Sequence, residues 1–202
     1  EPLLDMAATL KATQLNIIAQ VMPRSPEAAV PIVERWLDLA KQYPFPVLME
    51  THRNSTLNDL FYTLDVLEKV PHLRLCADLS HFVVDRELSL PLSAIDHQYF
   101  NDIIHRSDSF QGRISSNQQV QIAIEFEQHA PWVTQYLTWW EDGFRAWSER
   151  SEANDTLRFL VELGPPPYAI TNEHQRELSD RWAEGLLIRE WVQSLWLKAT
   201  AS

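Results

Sequence analysis

The chain contains little cysteine and little glycine. Cys76 is the only cysteine among 202 residues, which excludes an internal disulfide and a zinc site built on several thiolates and favours a reducing compartment. Glycine occurs four times, against a usual share of ~7%. No two glycines form the G-x-G-x-x-G or G-x-x-x-x-G-K pattern, so a Rossmann dinucleotide site and a P-loop are excluded from this stretch.

Positive charge and long apolar runs are also scarce. Lys and Arg number 17 against 28 Asp and Glu, and the formal net charge is -11. This charge repels a phosphate backbone, so we expect no nucleic-acid partner. No apolar run approaches the ~20 residues that span a bilayer, and no basic segment followed by an apolar one opens the sequence. These features predict a cytoplasmic protein with no membrane partner.

Short apolar runs alternate with helical patterns. The runs predict five buried strands, at residues 15–21, 45–50, 73–78, 102–105 and 157–162. The centres of the first four are spaced ~30 residues apart, the size of one strand–helix unit. This alternation is typical of an α/β protein with a parallel sheet. Residues 120–126 alternate in hydropathy and fit either a short strand or a packed loop.

Four stretches have the periodicity of amphipathic helices. Ser25 followed by Pro26 is a typical helix start, and a second helix follows a cap at Asn54 or Ser55. The other two helices are predicted at residues 131–150 and 177–198. We expect the last of them to bury Trp182 and Trp191.

Four of the predicted strands end in a residue that can bind a metal. These residues are Glu50, Asp78, His105 and Glu162. Side chains at the carboxyl ends of parallel strands converge on one crevice, where α/β enzymes keep their active sites. Three carboxylates and one imidazole suit Mn²⁺, Mg²⁺ or Co²⁺, and Zn²⁺ less distinctively. One such residue alone is usually the start of a solvated loop, but four in register favour a shared site.

Four segments of the sequence resemble the sugar phosphate isomerase/epimerase family, whose members are TIM barrels like xylose isomerase. The segments are VLMETHRN (47–54), LRLCADLSHF (73–82), IIHRSDS (103–109) and LRFLVELGPPPY (157–168). The resemblance covers about residues 15–170. It implies an α/β fold of the TIM (β/α) barrel type, with residues 1–202 forming a single barrel domain.

Such a barrel is expected to be incomplete, because a full one needs eight strands and ~250 residues. By the resemblance, the first strands of the barrel would precede Glu1, so the chain is either a fragment or a naturally shortened barrel. In a shortened barrel an open sheet edge requires a cover, and self-association as a homo-oligomer is then expected.

The same resemblance implies the chemistry of the site. Glu50, Asp78, His105 and Glu162 would bind one divalent metal ion (Mn, Mg, Co or Zn), and Glu50 and Glu162 would shuttle a proton through an enediolate. The substrate would be a small carbohydrate-like hydroxycarbonyl compound.

Four further residues are candidates for binding that substrate. His81 matches the histidine of the family's Asp-x-x-His motif, and His52 lies two residues after Glu50. Arg106 and Arg113 lie on either side of the position where the epimerases usually carry an arginine.

The residues leave three other functions open. A metal-dependent dehydratase or lyase uses the same stabilised enolate, so the ligand set does not separate it from an isomerase. An endonuclease IV-like enzyme requires more histidines than these motifs supply, and the negative charge opposes DNA binding. A barrel that has lost activity would serve as a binding protein.

Overall fold

The computed structural model describes residues 1–201, which divide into two compact units. The first unit is Glu1–Cys76 and the second begins at Ala77. No helix of the described residues is long and apolar enough to cross a membrane.

The first unit contains a parallel sheet and its flanking helices. Its elements are α1 (Pro2–Thr9), β1 (Leu15–Ile17), α2 (Pro26–Ala40), β2 (Val47–Glu50), α3 (Leu60–Lys69) and the first residues of β3 (Leu75–Ala77). Strand β2 lies between β1 and β3 and is parallel to both, with Leu48 opposite Asn16 and Glu50 opposite Cys76. The apolar strand predictions are confirmed here, although each strand is shorter than its apolar run.

The predicted helix starts are correct in one case and wrong in another. Ser25 caps α2, because its side chain accepts a hydrogen bond from the Ala28 amide. Helix α3 begins at Leu60 and is capped by Asp59, whose carboxylate accepts from the Tyr62 amide at 2.8 Å. Asn54 and Ser55 belong to the preceding loop, where Ser55 bonds to the His52 carbonyl instead.

The second unit has four α-helices, one 3-10 turn and one parallel strand pair among its described residues. Its elements are α4 (Leu79–Asp85), α5 (Ala94–Ile104), β4 (Ser107–Gln111), a 3-10 turn (Glu127–His129), α6 (Ala130–Ser148), β5 (Arg158–Leu160) and α7 (Arg181–Thr200). Strands β4 and β5 are parallel, with Gln111 opposite Leu160. An aromatic core lies between α6 and the strands, and its fully buried members are Phe100, Phe110, Tyr136, Trp139, Trp140 and Phe144.

The prediction of a TIM barrel is wrong. The described residues form five strands, whereas a closed barrel of this type needs eight. Parallel pairing within each unit is confirmed, but the described strands are too few to close a barrel.

The predicted strand at 102–105 is also wrong. Those residues are the last turn of α5, which Ser93 caps and which buries Phe100, Ile103 and Ile104 on one face. The actual strand, β4, has the polar sequence SDSFQ. Its buried Ser109 hydroxyl donates to the Arg158 carbonyl at 2.9 Å, so this polar side chain is satisfied inside the fold.

Two other sequence expectations concern the end of the chain and the 120–126 stretch. The terminal helix exists as α7, but Trp182 is 78% exposed, so the expected burial of this residue is wrong, and Trp191 is only half-buried. Residues 120–126 form a packed loop, with Ile122, Ala123 and Ile124 buried.

Candidate functional site

Asp78 is a fully buried carboxylate at the carboxyl end of β3. It is the N-cap of α4, and its Oδ1 accepts from the Ser80 amide at 3.0 Å and from the Ser80 hydroxyl at 2.5 Å. The change from extended strand to helix at this residue aims the carboxylate into the protein rather than into solvent. Asp78 is therefore held rigidly before any other group contacts it.

Arg113 connects Asp78 to Glu162. Its Nε donates to Asp78 Oδ2 at 3.2 Å, and its Nη2 donates to Glu162 Oε1. The strand register explains the second contact, because Gln111 is paired with Leu160 and both charged residues lie two positions further along parallel strands. Arg113 is 2% exposed, whereas the Glu162 side chain is 35% exposed. A ligand approaching from solvent would therefore contact Glu162 first.

His81 and Tyr168 complete the surroundings of this ion pair. His81 lies one helical turn after Asp78, with its Nε2 3.4 Å from Asp78 Oδ2, and its side chain is buried. The Tyr168 ring covers one face of the guanidinium, 4.8 Å from the ring centroid to Arg113 Cζ. A cation held against an aromatic face gains electrostatic stabilisation. We call Asp78, His81, Arg113, Glu162 and Tyr168 the Arg113 cluster.

The two carboxylates of the cluster have opposite pKa shifts. Burial acts to raise the pKa of Asp78, but the hydrogen bond and charge of His81 and the charge of Arg113 outweigh it and lower the pKa to about 2. For Glu162, burial dominates, and the attraction of Arg113 only partly offsets it, so its pKa is raised above the ordinary value. Opposed shifts of this kind separate a permanent charge from a group that can take up a proton.

Arg113 and Glu162 each have one atom without a hydrogen-bond partner among residues 1–201. These atoms are Arg113 Nη1 and Glu162 Oε2, and both are buried. Each belongs to the same planar group as an atom of the Arg113–Glu162 ion pair, so the two lie close together. A buried polar atom without a partner costs about 1–3 kcal/mol, which a ligand that supplies the missing bonds would recover.

His105 and Arg106 lie elsewhere in the second unit. Both follow the end of α5 and precede β4, whereas Arg113 follows that strand. Five strand residues span about 17 Å, so the structure does not bring His105 together with Asp78 and Glu162. His105 instead lines a polar surface cleft with Asn101 and Asp142.

Glu50 and His52 belong to the first unit. Glu50 is the last residue of β2 and is 7% exposed, so it is a buried carboxylate in its own right. The His52 Nδ1 lies 2.5 Å from the Arg53 carbonyl oxygen. The predicted strand end is thus confirmed for Glu50.

The second unit places an arginine between two of the four expected metal ligands. Within each unit of the described chain, no group of three or more His, Cys, Asp and Glu side chains is arranged to hold a metal ion. Asp78 and Glu162 do come together, but the Arg113 guanidinium bonds to both of them. A fixed positive charge between two carboxylates takes the place of a cation and repels a second one.

The position of Arg113 between the two carboxylates was not predicted from the sequence. Arg113 was a candidate for binding substrate, not for joining the two acids. The correspondence depends on the pairing of Gln111 with Leu160, which lie two residues before Arg113 and Glu162 and which the structure, not the sequence, shows to be paired. The wrong placement of the fourth strand hid this correspondence. Tyr168, which covers the guanidinium, had no sequence signal of its own.

Comparisons with known proteins give no family assignment. No model of a known protein family matches the chain, and no curated protein matches it. The resemblance of the four motifs to the sugar phosphate isomerase/epimerase family therefore stays a prediction, and the Arg113 cluster is the observation from which a function can be argued.

Proposed function

We propose that this chain is an isomerase that moves a proton within a small hydroxycarbonyl compound, with Glu162 as the base and Arg113 as the group that stabilises the enediolate. The observation that carries the proposal is that Arg113 Nη1 and Glu162 Oε2, one atom from each group of the ion pair, are buried and unsatisfied. A carbonyl oxygen fits the first atom, and the acidic C–H next to that carbonyl fits the second.

Glu162 has the properties required of the base. Its pKa is raised by burial, so its carboxylate is more basic than an ordinary glutamate. One of its oxygens is held by Arg113, while the other retains its lone pairs for a proton. Its side chain is partly exposed although Oε2 itself is buried, so a substrate must enter beside the side chain to reach that oxygen.

Arg113 has the properties required of the stabilising cation. It is buried and held in place by Asp78 on one side and Tyr168 on another. A guanidinium that is already oriented when negative charge develops on the substrate oxygen requires little reorganisation, which is the main source of electrostatic catalysis. The low pKa of Asp78 keeps that carboxylate ionised, so it holds Arg113 without competing for the substrate's proton.

The reaction balances with these groups alone. Glu162 removes the proton from the carbon next to the carbonyl, the C–H electron pair forms a carbon–carbon double bond, and the carbonyl oxygen becomes an oxyanion held by Arg113. The proton of the neighbouring hydroxyl passes to that oxygen, and the hydroxyl oxygen forms the new carbonyl. The electron pair of the carbon–carbon double bond then takes the proton from Glu162 at the former carbonyl carbon. Isomerisation of this kind needs one base, whereas epimerisation through opposite faces needs two acid–base groups.

A single substitution tests the base directly. Glu162→Gln keeps the size and most of the hydrogen bonding of the side chain but removes its basicity, so proton exchange should fall by about 10²–10⁴-fold. The control is Glu152→Gln, because Glu152 is exposed and lies outside the cluster. Exchange into dihydroxyacetone or glyceraldehyde in deuterated water is followed by NMR. Full exchange in the Glu162→Gln protein would remove Glu162 from the mechanism.

A further inference from the structure

Strand pairing sets the register of Glu162 with Arg113, but the pairing ends before it reaches Glu162. Strand β5 ends at Leu160, and the hydrogen bond from the Gly112 amide to the Leu160 carbonyl, 2.6 Å long, closes its pairing with β4. Glu162 follows two residues later, in a segment with no regular structure. Another contact must therefore hold the backbone that carries this side chain.

Gln121 supplies that contact through both ends of its amide. Its Nε2 donates to the Gly164 carbonyl at 2.9 Å, and its Oε1 accepts from the Gly164 amide at 2.7 Å. Among uncharged side chains, a planar amide of Asn or Gln offers a donor and an acceptor side by side, so Gln121 pairs with Gly164 as a neighbouring strand would. Gln121 is 4% exposed, so water does not compete for either bond.

Gly164 connects the contact made by Gln121, which we call the clamp, to the two groups that flank the Arg113 guanidinium, Glu162 and Tyr168. It lies two residues after Glu162, and a Cβ built on it would lie 2.8 Å from Tyr168 Cδ2. The Tyr168 ring in turn covers Arg113. The backbone held by Gln121 therefore carries the carboxylate at the end of Arg113 and packs against the ring on its face.

Gln121 is itself fixed on a rigid support. The next residue, Ile122, donates its amide to the Ile114 carbonyl at 3.0 Å, and the Ile124 amide donates to the buried Glu184 carboxylate of α7 at 2.9 Å. Leu163, between Glu162 and Gly164, accepts a further bond at its carbonyl from Arg181 at 3.2 Å. Displacement of Gln121 would require breaking contacts with the segment after β4 and with α7.

We infer that Gln121 is a positioning residue, which acts through Gly164 to hold Glu162 in contact with Arg113. This inference rests on the proposed function for its catalytic consequence, but the contact that it concerns exists without substrate. The expected effect of losing Gln121 is a Glu162 side chain that leaves Arg113, while the fold of the rest of the unit is kept.

The test uses Gln121→Met, which has a similar size and no amide, with Gln118→Met as the control because Gln118 is exposed on the same loop. Nitrogen-15 NMR of the arginine side chains reports whether the Arg113 Nη2 protons retain the downfield shift caused by a carboxylate. We expect Gln121→Met to lose this shift and to exchange the Gly164 amide about tenfold faster, as the loss of ordinary hydrogen bonds implies. Gln118→Met should change neither. An unchanged Arg113 signal together with fast Gly164 exchange would overturn the inference.

A second variant covers the case in which Gln121→Met does not fold. In Gln121→Glu, the ionised carboxylate lacks the donor for the Gly164 carbonyl, but the protonated acid has a hydroxyl donor and a carbonyl acceptor and can restore both bonds. We expect the Arg113 signal of this variant to be lost at neutral pH, where the new carboxyl is ionised and cannot donate to the Gly164 carbonyl. The comparison is made at neutral pH because Glu162 itself takes up a proton as the pH falls. An Arg113 signal that is native at neutral pH in Gln121→Glu would contradict the inference.

The two failures can be told apart. If the proposed function is wrong, no proton exchange occurs in wild type. The NMR signals of Arg113 and Gly164 still show whether Gln121 holds Glu162 against Arg113. If only the positioning role is wrong, wild type exchanges protons and Gln121→Met does so with unchanged kcat and KM. The inference predicts a lower kcat with a smaller change in KM, because the base rather than the binding surface is displaced.

Discussion

Arg113 donates to Asp78 from its Nε across 35 residues of sequence, and both side chains are almost completely buried. A buried ion pair of this kind contributes little net stability, but removal of one partner leaves the other charge without compensation. Asp78 holds the guanidinium at a fixed place, and this fixed cation is what the proposed chemistry requires at Glu162.

Loss of the guanidinium should therefore destabilise the fold. Arg113→Leu leaves the buried Asp78 carboxylate without its cation, and we expect the free energy of unfolding to fall by about 3–5 kcal/mol. Urea denaturation followed by tryptophan fluorescence measures the change. Arg189→Leu is the control, because Arg189 is an exposed residue of α7, and it should alter the stability by less than ~0.5 kcal/mol. Equal stability of the two variants would show that Asp78 does not depend on Arg113.

The low pKa of Asp78 predicts a loss of stability in acid. The folded pKa is about 2 against 3.8 for an ordinary aspartate, so its stabilising contribution is fully present above pH ~4 and is lost as the pH falls through about 2. The shift corresponds to about 2 kcal/mol. Denaturation between pH 2 and pH 5 should show a steeper slope in wild type than in Asp78→Asn. Parallel slopes would contradict the shifted pKa.

The contribution of Glu162 to folding stability should change with pH in the opposite direction to that of Asp78. Because its folded pKa is raised above 4.5, its contribution to stability is fully present below pH ~4.5 and is lost as the pH rises through the folded pKa. Glu162→Gln has no such loss, so its stability relative to wild type should improve as the pH rises above 4.5. Denaturation of both proteins at pH 4 and pH 7 checks the sign, and a relative improvement toward low pH would contradict it.

Substitution by alanine should change the stability of the protein in opposite directions at two glycines in helices. A Cβ on Gly143 of α6 would lie 2.4 Å from Phe110 Cζ in the aromatic core, whereas a Cβ on Gly185 of α7 would meet Val161 at an ordinary 3.6 Å. Gly143→Ala should destabilise the protein by about 1–3 kcal/mol through overpacking. Gly185→Ala should stabilise it by about 0.5–1 kcal/mol, because alanine is the better helix former. Thermal unfolding of the two variants provides the comparison, and a stabilising Gly143→Ala would show that the core there is loosely packed.

The sequence predicted the strands whose side chains are apolar and failed at the strand whose side chains are polar. In β2 and β3 the buried positions other than Glu50 are Leu, Met, Cys and Ala, and a continuous apolar run indicates such a strand. In β4 the buried Ser107 and Ser109 satisfy their hydroxyls on the Ile103 and Arg158 carbonyls. Ile103 lies 4 residues from Ser107, and Arg158 lies 49 residues from Ser109. The second contact cannot be predicted from local periodicity.

The candidate site was predicted only in part, because residues that follow apolar strands can be located from the sequence and residues that follow the polar strand cannot. Asp78 and Glu162 follow apolar strands, so their positions at strand ends are visible in the sequence, and His81 follows Asp78 by one helical turn. Arg113 follows the polar strand, and the Ile103–Ile104 pair at the end of α5 resembled a strand more closely than β4 did. His105 was consequently placed at a strand's end, although it comes before the strand. Trp182 was expected inside because of helical periodicity, but the buried positions of α7 are Glu184 and Ile188.

The most direct test of the central proposal is proton exchange by the wild-type protein itself. The protein is incubated with dihydroxyacetone in deuterated water, with and without a chelator, and the carbon-bound hydrogens are followed by proton NMR. We predict deuterium on the carbon next to the carbonyl and conversion toward glyceraldehyde, at a rate that is unchanged by the chelator and rises with pH as Glu162 loses its proton. Absence of deuterium in this and other small hydroxycarbonyl compounds, under conditions where the fold is intact, would contradict the proposal and favour a binding protein.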